Sequence, residues 1–261
     1  MLTNPQKLQQ LKLEDGRTVA CTSPAEARML WGEMSTDGFY RRAAAHLRPG
    51  DIALDIGANI GLSAMMFADV CPGIQVIAAE PAPMTFDCLE HNLIAHVPNS
   101  IRCRVAAGAA PGSASFTWYP RASANSGLYA DREADDEATE IYLRNSGLND
   151  EAIALITADL HDGEQIDVEV TTVSALLDQH GSDAEIGLLK IDVERAELDV
   201  VRGIAEADWP RIRAVVAEVH DQDNRLTQFC DVLRLHGFSP QTRQDPSLSG
   251  TELHEVYAVR S

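Results

Sequence analysis

The chain has 261 residues, of which 45% are hydrophobic and 23% charged, a composition that supports a large core and excludes general disorder. Forty acidic residues against 21 basic ones give a formal net charge of -19, which argues against a nucleic-acid binder because such a protein needs a basic face. No apolar run approaches the ~20 residues of a membrane helix, and no secretory signal is visible. Five cysteines without paired spacing indicate reduced thiols. We therefore expect a cytoplasmic protein without membrane or nucleic-acid partners.

Short apolar runs alternate with helical patterns from about residue 50 onward. The apolar runs predict strands over residues 51–56, 74–79, 101–107, 113–119, 166–170, 186–191, 212–219 and 255–259. The helical patterns predict helices over residues 62–70, 82–94, 173–179, 194–204 and 225–236. Strands that alternate with helices of this length indicate β-α units around a mostly parallel sheet, so we expect an α/β fold.

Two regions interrupt this alternation. Residues 1–48 precede the first strong strand and are predicted to form a helical or hairpin preface to a main domain over residues 49–261. Residues 120–165 are polar and acidic, with an acidic run at 131–137 before an amphipathic stretch. We predict that this insertion is a lid over the substrate, and a solvated acidic helix without substrate contact is the alternative. Aromatic residues, only 5% of the chain, recur in or beside both regions, at Trp31, Tyr40, Trp118, Tyr119, Tyr129 and Tyr142.

A glycine-containing loop joins the first strand of the main domain to its first helix. Gly57 and Gly61 allow a tight turn and let a ligand approach the backbone at the helix N-terminus. A dinucleotide fingerprint needs glycine at the positions of Asn59 and Leu62, so a nicotinamide-dependent oxidoreductase is disfavoured. The spacing instead matches the acidic-x-Gly-x-Gly-x-Gly loop of S-adenosylmethionine (SAM) enzymes. Asp55 supplies the acid, and Asn59, which tolerates unusual backbone angles, replaces the middle glycine.

The second strand ends in Glu80, which Pro81 follows. An acid about 20 residues past the glycine loop can accept hydrogen bonds from both hydroxyls of a ribose. The glycine loop and Glu80 together, in strand-turn-helix-strand order, predict that SAM binds here. An ordinary tight turn with a surface glutamate is the alternative.

Three segments of the chain resemble the FkbM family of SAM-dependent methyltransferases. They are residues 54–61, residues 79–81 with Asn92 on the next helix, and residues 189–197 with the sequence LKIDVERAE. The chain departs from the family at Arg195, where the family usually has glycine. The resemblance implies a class I methyltransferase fold, a Rossmann-like sheet of seven strands with the last one antiparallel and with helices on both faces.

The same resemblance implies cofactor contacts by position. It implies that the methionine part of SAM is surrounded by Asp55, Gly57, Ala58, Asn59 and Gly61. It also implies that Glu80, with Pro81 beside it, holds the ribose, and that Ala106, at the end of the predicted third strand, lies near the adenine. Because the family mostly methylates hydroxyl groups on sugars and natural products, a small-molecule acceptor is expected, and a homo-oligomer is left open.

Methyl transfer to a hydroxyl needs aligned reactants and a group that takes the proton. Lys190, Asp192 and Glu194 alternate along one strand and its exit, and Glu218 and His220 alternate at the end of the next. Neighbouring strands bring both sets to the carboxyl edge of the sheet, where ligands bind. His220 is the predicted general base because imidazole titrates near neutral pH. Asp192 is the second candidate, and it could equally orient the substrate or contact the amino group of SAM.

Several alternatives stay open at this point. His220 could be a hydrogen-bonded structural histidine, and the acids around it have the oxygen chemistry of a hard metal site, although no metal is predicted. The main hypothesis is O-methylation of a hydroxyl on a small natural product or glycosyl group. The two other hypotheses are a nitrogen or carboxyl methyltransferase and a non-catalytic SAM-fold binding protein.

Overall fold

The computed structural model describes residues 8–36, 38–181 and 184–260. Its β-strands are β1 (Gln9–Lys12), β2 (Thr18–Cys21), β3 (Ile52–Ile56), β4 (Gln75–Ala79), β5 (Ser100–Cys103), β6 (Ala106–Ala107), β7 (Gly112–Trp118), β8 (Glu164–Thr171), β9 (Ile186–Ile191), β10 (Ala214–His220), β11 (Phe238–Arg243) and β12 (Leu253–Arg260). Its α-helices are α1 (Pro24–Ser35), α2 (Phe39–Ala44), α3 (Leu62–Val70), α4 (Pro83–His96), α5 (Arg132–Asn145), α6 (Asp150–Thr157), α7 (Val173–His180), α8 (Glu197–Arg202) and α9 (Arg225–Leu235). Parts of the predicted preface (residues 1–7 and 37) and of the predicted main domain (residues 182, 183 and 261) lie outside the described residues.

Seven of the described strands form one mixed sheet in the order β11-β12-β10-β9-β3-β4-β5. The five strands from β10 to β5 in this order are parallel, whereas β12, the last strand of the chain, runs antiparallel to β10 and β11. This is the class I methyltransferase arrangement, so the fold implied by the resemblance is confirmed. β3 and β9 are buried along their whole length, as expected of parallel strands covered on both faces.

Helices cover both faces of the central sheet. Alternate residues of a strand point to opposite faces. In β3, Ala53 packs with side chains of α1 to α4, while Ile52 and Leu54 pack with those of α7 to α9. No helix in the described part of the chain is long and apolar enough to cross a membrane.

The prediction of one strand over residues 101–107 is wrong. β5 ends at Cys103, and the chain then leaves the central sheet to form β6, which pairs with β8 in a second sheet of order β6-β8-β7. Ala106 therefore lies beside Val170 in the second sheet and does not end the third central strand. The sequence did not reveal the break because Cys103 and Ala106 are buried although they belong to different sheets.

Two further elements differ from the prediction. The helix predicted over residues 194–204 begins only at Glu197, because Glu194 and Arg195 have left-handed φ angles of 51° and 72° that a right-handed helix excludes. β11 was not predicted, because its sequence FSPQTR is polar and contains Pro240. Such a strand is tolerated at the edge of the sheet, where it has one neighbour.

The described part of the preface comprises β1, β2, α1 and α2. β1 and β2 form an antiparallel hairpin, and α1 is capped by Ser23, whose side chain accepts a hydrogen bond from the backbone of Glu26. Buried Asn92 on α4 accepts a hydrogen bond from the Ala20 N–H and donates to the carbonyl oxygens of Ala20 and Ile60. This side chain ties the preface to the loop that precedes α3.

The insertion holds two α-helices, α5 and α6. The acidic stretch of the sequence forms α5, whose first turn is capped by Asp131 through hydrogen bonds from the backbone of Glu133 and Ala134. At the other end of α5, the Asn145 amide donates to two carbonyl oxygens between β11 and β12, those of Ser247 and Ser249. The insertion therefore contacts the C-terminal part of the chain.

Candidate active site

The polar side chains singled out in the sequence meet at the carboxyl ends of four parallel strands. Asp55 lies near the end of β3, Glu80 follows β4, Asp192 follows β9, and His220 ends β10. This is the edge where open α/β sheets bind ligands. β9 and β10 are neighbours, so the two sets of predicted catalytic residues lie side by side.

The loop between β3 and α3 requires glycine at position 57. Gly57 has a φ of 74°, and a Cβ atom added to it would lie 1.6 Å from the carbonyl oxygen of Asp192. Asn59, which replaces the middle glycine of the SAM loop, has a φ of 47°, a left-handed conformation that asparagine tolerates. Gly61 has a φ of 88° and precedes α3 directly. The residue types that the sequence pattern singled out are therefore those that this backbone path needs.

Glu80 is buried behind this loop. Its two carboxylate oxygens accept hydrogen bonds from the backbone N–H groups of Asn59 at 3.2 Å and Ala82 at 2.9 Å. Burial, opposed in part by these hydrogen bonds, raises the pKa of Glu80 to about 7. Each carboxylate oxygen keeps a lone pair for a further donor, which is what a ribose with two hydroxyls needs.

Lys190 lies between Asp55 and Asp192, two acids next to the loop between β3 and α3, which we call the cofactor loop. Its Nζ donates to the Gly57 carbonyl at 2.6 Å and lies 3.3 Å from Asp55 Oδ1 and 3.2 Å from Asp192 Oδ2. Burial opposes the ammonium charge, but Asp192 and Asp55 raise the pKa of Lys190 above its ordinary value. Asp55 also accepts a 2.6 Å hydrogen bond from Ser63, and its side chain is fully buried. Asp55 therefore stabilises the loop between β3 and α3 from the buried side, through Ser63 and Lys190.

A small cavity of about 40 Å³ lies between the cofactor loop and the second sheet. Its walls include five residues that the sequence assigned to the cofactor, namely Gly57, Glu80, Pro81, Ala106 and Asp192. The other four assigned residues, Asp55, Ala58, Asn59 and Gly61, are not among its wall residues. Apolar wall residues that the sequence did not single out include Val105, Phe116 and Leu128.

A much larger cleft of about 1240 Å³ opens on the other side of Asp192. The preface, the insertion, the loop after β9, the end of β10 and the segment between β11 and β12 all contribute to its walls. His220 and Asp192 both line it, and Asp192 is a wall residue of the small cavity as well. Asp192 therefore stands where the two spaces meet.

His220 is held between two carboxylates. Its Nδ1 lies 3.1 Å from Glu197 Oε1, and its Nε2 lies 3.4 Å from Glu194 Oε2. Burial opposes the imidazolium charge, but the hydrogen bond to Glu197 and the charge of Glu194 raise the pKa of His220 above its ordinary value. Burial raises the pKa of Glu194 to about 8. His220 and Glu194 are thus two adjacent groups that can hold or release a proton near neutral pH.

Tyr40 is a site residue to which the sequence assigned no role. Its hydroxyl donates to Glu218 Oε1 at 2.7 Å and lies 3.5 Å from Asp192 Oδ2, and the Lys190 ammonium lies 5.9 Å from the centre of its ring. Burial and the charge of Asp192 raise the pKa of Glu218 well above its ordinary value. The scarcity of aromatic residues in the chain was the only signal that drew attention to Tyr40.

Comparison with known proteins identifies the family. Residues 55–240 match the sequence model of a protein family, the Methyltransferase FkbM domain. A relative from Streptomyces tacrolimicus, 31-O-demethyl-FK506 methyltransferase FkbM, is 42% identical over 96% of both chains. The chain belongs to the FkbM methyltransferase family. This methyltransferase uses SAM, and Glu80, on the wall of the small cavity, offers a buried carboxylate that can accept hydrogen bonds from its ribose.

Two further relatives match this methyltransferase over very different shares of their own length. It is 33% identical to the AMB antimetabolite synthetase AmbE of Pseudomonas aeruginosa over 96% of its own chain, which corresponds to 12% of that longer protein. It is 31% identical to the methyltransferase sdnD of Sordaria araneosa over 83% of each chain.

Proposed function

We propose that this methyltransferase transfers the methyl group of SAM to a hydroxyl oxygen of a natural product. The observation that carries the proposal is the position of Asp192, which lines both the small cavity beside Glu80 and the large cleft. A cleft of about 1240 Å³ is larger than the roughly 300–1,000 Å³ of usual small-molecule sites and suits an acceptor larger than a single sugar. The 42% identical relative is named 31-O-demethyl-FK506 methyltransferase, which supports an oxygen atom as the acceptor.

The proposed mechanism begins with alignment. Bound SAM supplies an electrophilic methyl group. Glu80 would hold the ribose hydroxyls through its two carboxylate oxygens, and Gly57 lets the loop after β3 pack against the Asp192 carbonyl beside it. Asp192 orients the acceptor hydroxyl or the amino group of the cofactor at the junction of the two cavities. Alignment of this kind contributes a large share of the rate of a displacement between two bound molecules.

The proton of the acceptor hydroxyl goes to His220 in this mechanism. Glu197 faces Nδ1, so the Nδ1–H donates to that carboxylate and Nε2 keeps the free lone pair. Nε2 would take the hydroxyl proton while the acceptor oxygen receives the methyl group that bound SAM would supply. Glu194 Oε2 lies 3.4 Å from Nε2 and can accept this proton when the carboxyl is ionised.

The proposed activity is tested by transfer of isotopically labelled methyl from SAM. The first probe is 31-O-demethyl-FK506, and its O-methylated counterpart is the matched control. We expect label on the free hydroxyl oxygen of the first compound and none on the second, as read by mass spectrometry. Amine and carboxylic acid probes follow in parallel. Transfer only to nitrogen or to a carboxylate would contradict O-methylation, and SAM binding without transfer to any probe would favour a non-catalytic protein.

The charge of the cleft supports a small-molecule acceptor. Acidic side chains on its wall, such as Glu33, Glu137 and Glu252, outnumber the three arginines there. Such a surface repels nucleic-acid phosphates. A cytoplasmic location is still an expectation from the sequence, and the oligomeric state stays open.

We further propose that the insertion at residues 120–165 acts as the acceptor lid. α5 and α6 contribute Tyr142 and Ile156 to the wall of the cleft. Asn145 links the end of α5 to the segment between β11 and β12, which lies on the same cleft. Segments that close over a substrate exclude water from the reaction.

Replacing residues 131–160 with a short glycine-serine linker should spare SAM binding and abolish acceptor turnover. Arg195→Gly is combined with this deletion, because the deletion removes Asp135, the ion-pair partner of Arg195. The full-length Arg195→Gly variant is the control. Calorimetry measures SAM affinity, and labelled methyl transfer measures turnover. If the deletion variant turned over its acceptor as fast as the control, the lid proposal would be wrong.

A further inference from the structure

Arg195 stands between the insertion and the predicted catalytic side chains. Its φ of 72° is left-handed, which is unfavourable for a long side chain. Its side chain is only 4% exposed and lies with Nη2 2.7 Å from Oδ1 of Asp135, which is 2% exposed. A charged residue is therefore held in a strained conformation inside the protein.

The ion pair joins α5 of the insertion to the loop after β9. Asp135 lies on α5, and its second oxygen accepts a 3.0 Å hydrogen bond from the Tyr119 hydroxyl. Among the described residues, Nε and Nη1 of Arg195 have no hydrogen-bond partner, so the guanidinium depends on Asp135. Gly127 of the insertion packs on the same loop, because a Cβ atom there would lie 2.9 Å from Glu194 Cβ.

The loop that contains Arg195 also holds His220. The Arg195 backbone N–H donates to Glu197 Oε1 at 2.8 Å, and the same oxygen lies 3.1 Å from His220 Nδ1. Glu194, the residue before Arg195, faces His220 Nε2 at 3.4 Å. Arg195 thus lies in the same short segment as Glu194 and Glu197, the two carboxylates that flank the imidazole.

We propose that Arg195 is a positioning residue, whose ion pair with Asp135 fixes the loop that presents Glu194 and Glu197 to His220. The orientation of His220 then depends on the docking of the insertion, which closes one wall of the acceptor cleft. The effect on rate rests on the proposed function, whereas the environment of His220 can be measured without any acceptor.

Asp135→Asn tests this inference, because it removes the ion pair and leaves the shape of the side chain and the charge of Arg195 in place. We expect SAM affinity within about twofold of wild type and a turnover about 10–100-fold lower, the effect of a small misplacement. The charged groups that face His220 are Glu194, Glu197 and Arg195. When the two carboxylates move away, the pKa of His220, followed by NMR of its imidazole, should fall.

Asp162→Asn is the matched control. It makes the same substitution in an exposed ion pair of the insertion, where Asp162 lies 2.6 Å from Arg132. We expect wild-type turnover and an unchanged His220 titration in this variant. Equal changes in Asp162→Asn and Asp135→Asn would overturn the inference, because they would report a general loosening of the insertion.

The double variant Arg195→Gly/Asp135→Asn guards against misfolding, since it leaves no unpaired buried charge and relieves the left-handed backbone strain. Its loss of turnover should be no greater than that of the more affected single variant, because both changes break one interaction. A folded Asp135→Asn variant with wild-type turnover and His220 titration would refute the inference, as would single losses that multiply in the double variant. If no hydroxyl probe is methylated, the proposed function fails, and the NMR titration of Asp135→Asn still decides the role of Arg195.

Discussion

Replacing His220 with alanine should lower the rate of methyl transfer by about 10²–10⁴-fold, the usual contribution of a general base. The reason is that a hydroxyl is a poor nucleophile near neutral pH, and the proton would lose its acceptor at Nε2. SAM affinity should change little, because His220 lines the large cleft and is not a wall residue of the small cavity. Single-turnover transfer and calorimetry measure the two quantities. His91→Ala, on the exposed side of α4, is the matched control and should keep wild-type turnover.

The pH dependence of the wild-type rate provides a second test of His220. A general base must be uncharged, and the neighbouring Glu197 and Glu194 raise the pKa of His220 above its ordinary value of about 6.5. The rate should therefore fall as pH drops, with a midpoint above 6.5. A small effect of His220→Ala with a severe loss in Asp192→Asn would move the base to Asp192. If neither variant slowed single-turnover transfer, alignment alone would account for catalysis.

Replacing Glu80 with alanine should weaken SAM binding by roughly 100-fold or more, because two charge-assisted hydrogen bonds to the ribose are lost. The same change frees the Asn59 and Ala82 N–H groups that the carboxylate holds, which loosens the loop. Glu90→Ala on the exposed side of α4 is the control and should bind SAM like the wild type. Wild-type affinity in Glu80→Ala, measured by calorimetry, would disprove the ribose assignment.

The ionisation of Glu80 should also appear in the pH dependence of SAM binding. Burial raises the pKa of Glu80 to about 7, so the carboxyl gains a proton as pH falls below this value. The protonated form is a weaker acceptor for ribose hydroxyls. SAM affinity of the wild type should therefore fall between pH 8 and pH 6 by more than that of Glu80→Gln, which cannot ionise. Parallel curves for the two proteins would contradict an ionised Glu80 in the complex.

Local patterns predicted the central elements closely. The helix predicted over residues 62–70 is α3, and the strand predicted over 186–191 is β9. Both are bounded by local signals, because α3 starts after Gly61 and stops before Pro72 and Gly73, and β9 is a continuous apolar run. Where pairing depends on distant partners, the prediction failed. The break before β6 is an example, since Ala106 pairs with Val170 in a different sheet.

The cofactor loop and the family follow from the sequence alone, because both depend on residues spaced closely along the chain. Gly57 and Asn59 need left-handed backbone angles, and that requirement limits the residue types the loop accepts. Only the tertiary structure revealed the contact of Tyr40 with Glu218, which are 178 positions apart, and the ion pair of Asp135 with Arg195. No local pattern indicates which of these side chains pair, since a tyrosine or an aspartate on a helix is ordinary until the tertiary fold places its distant partner beside it.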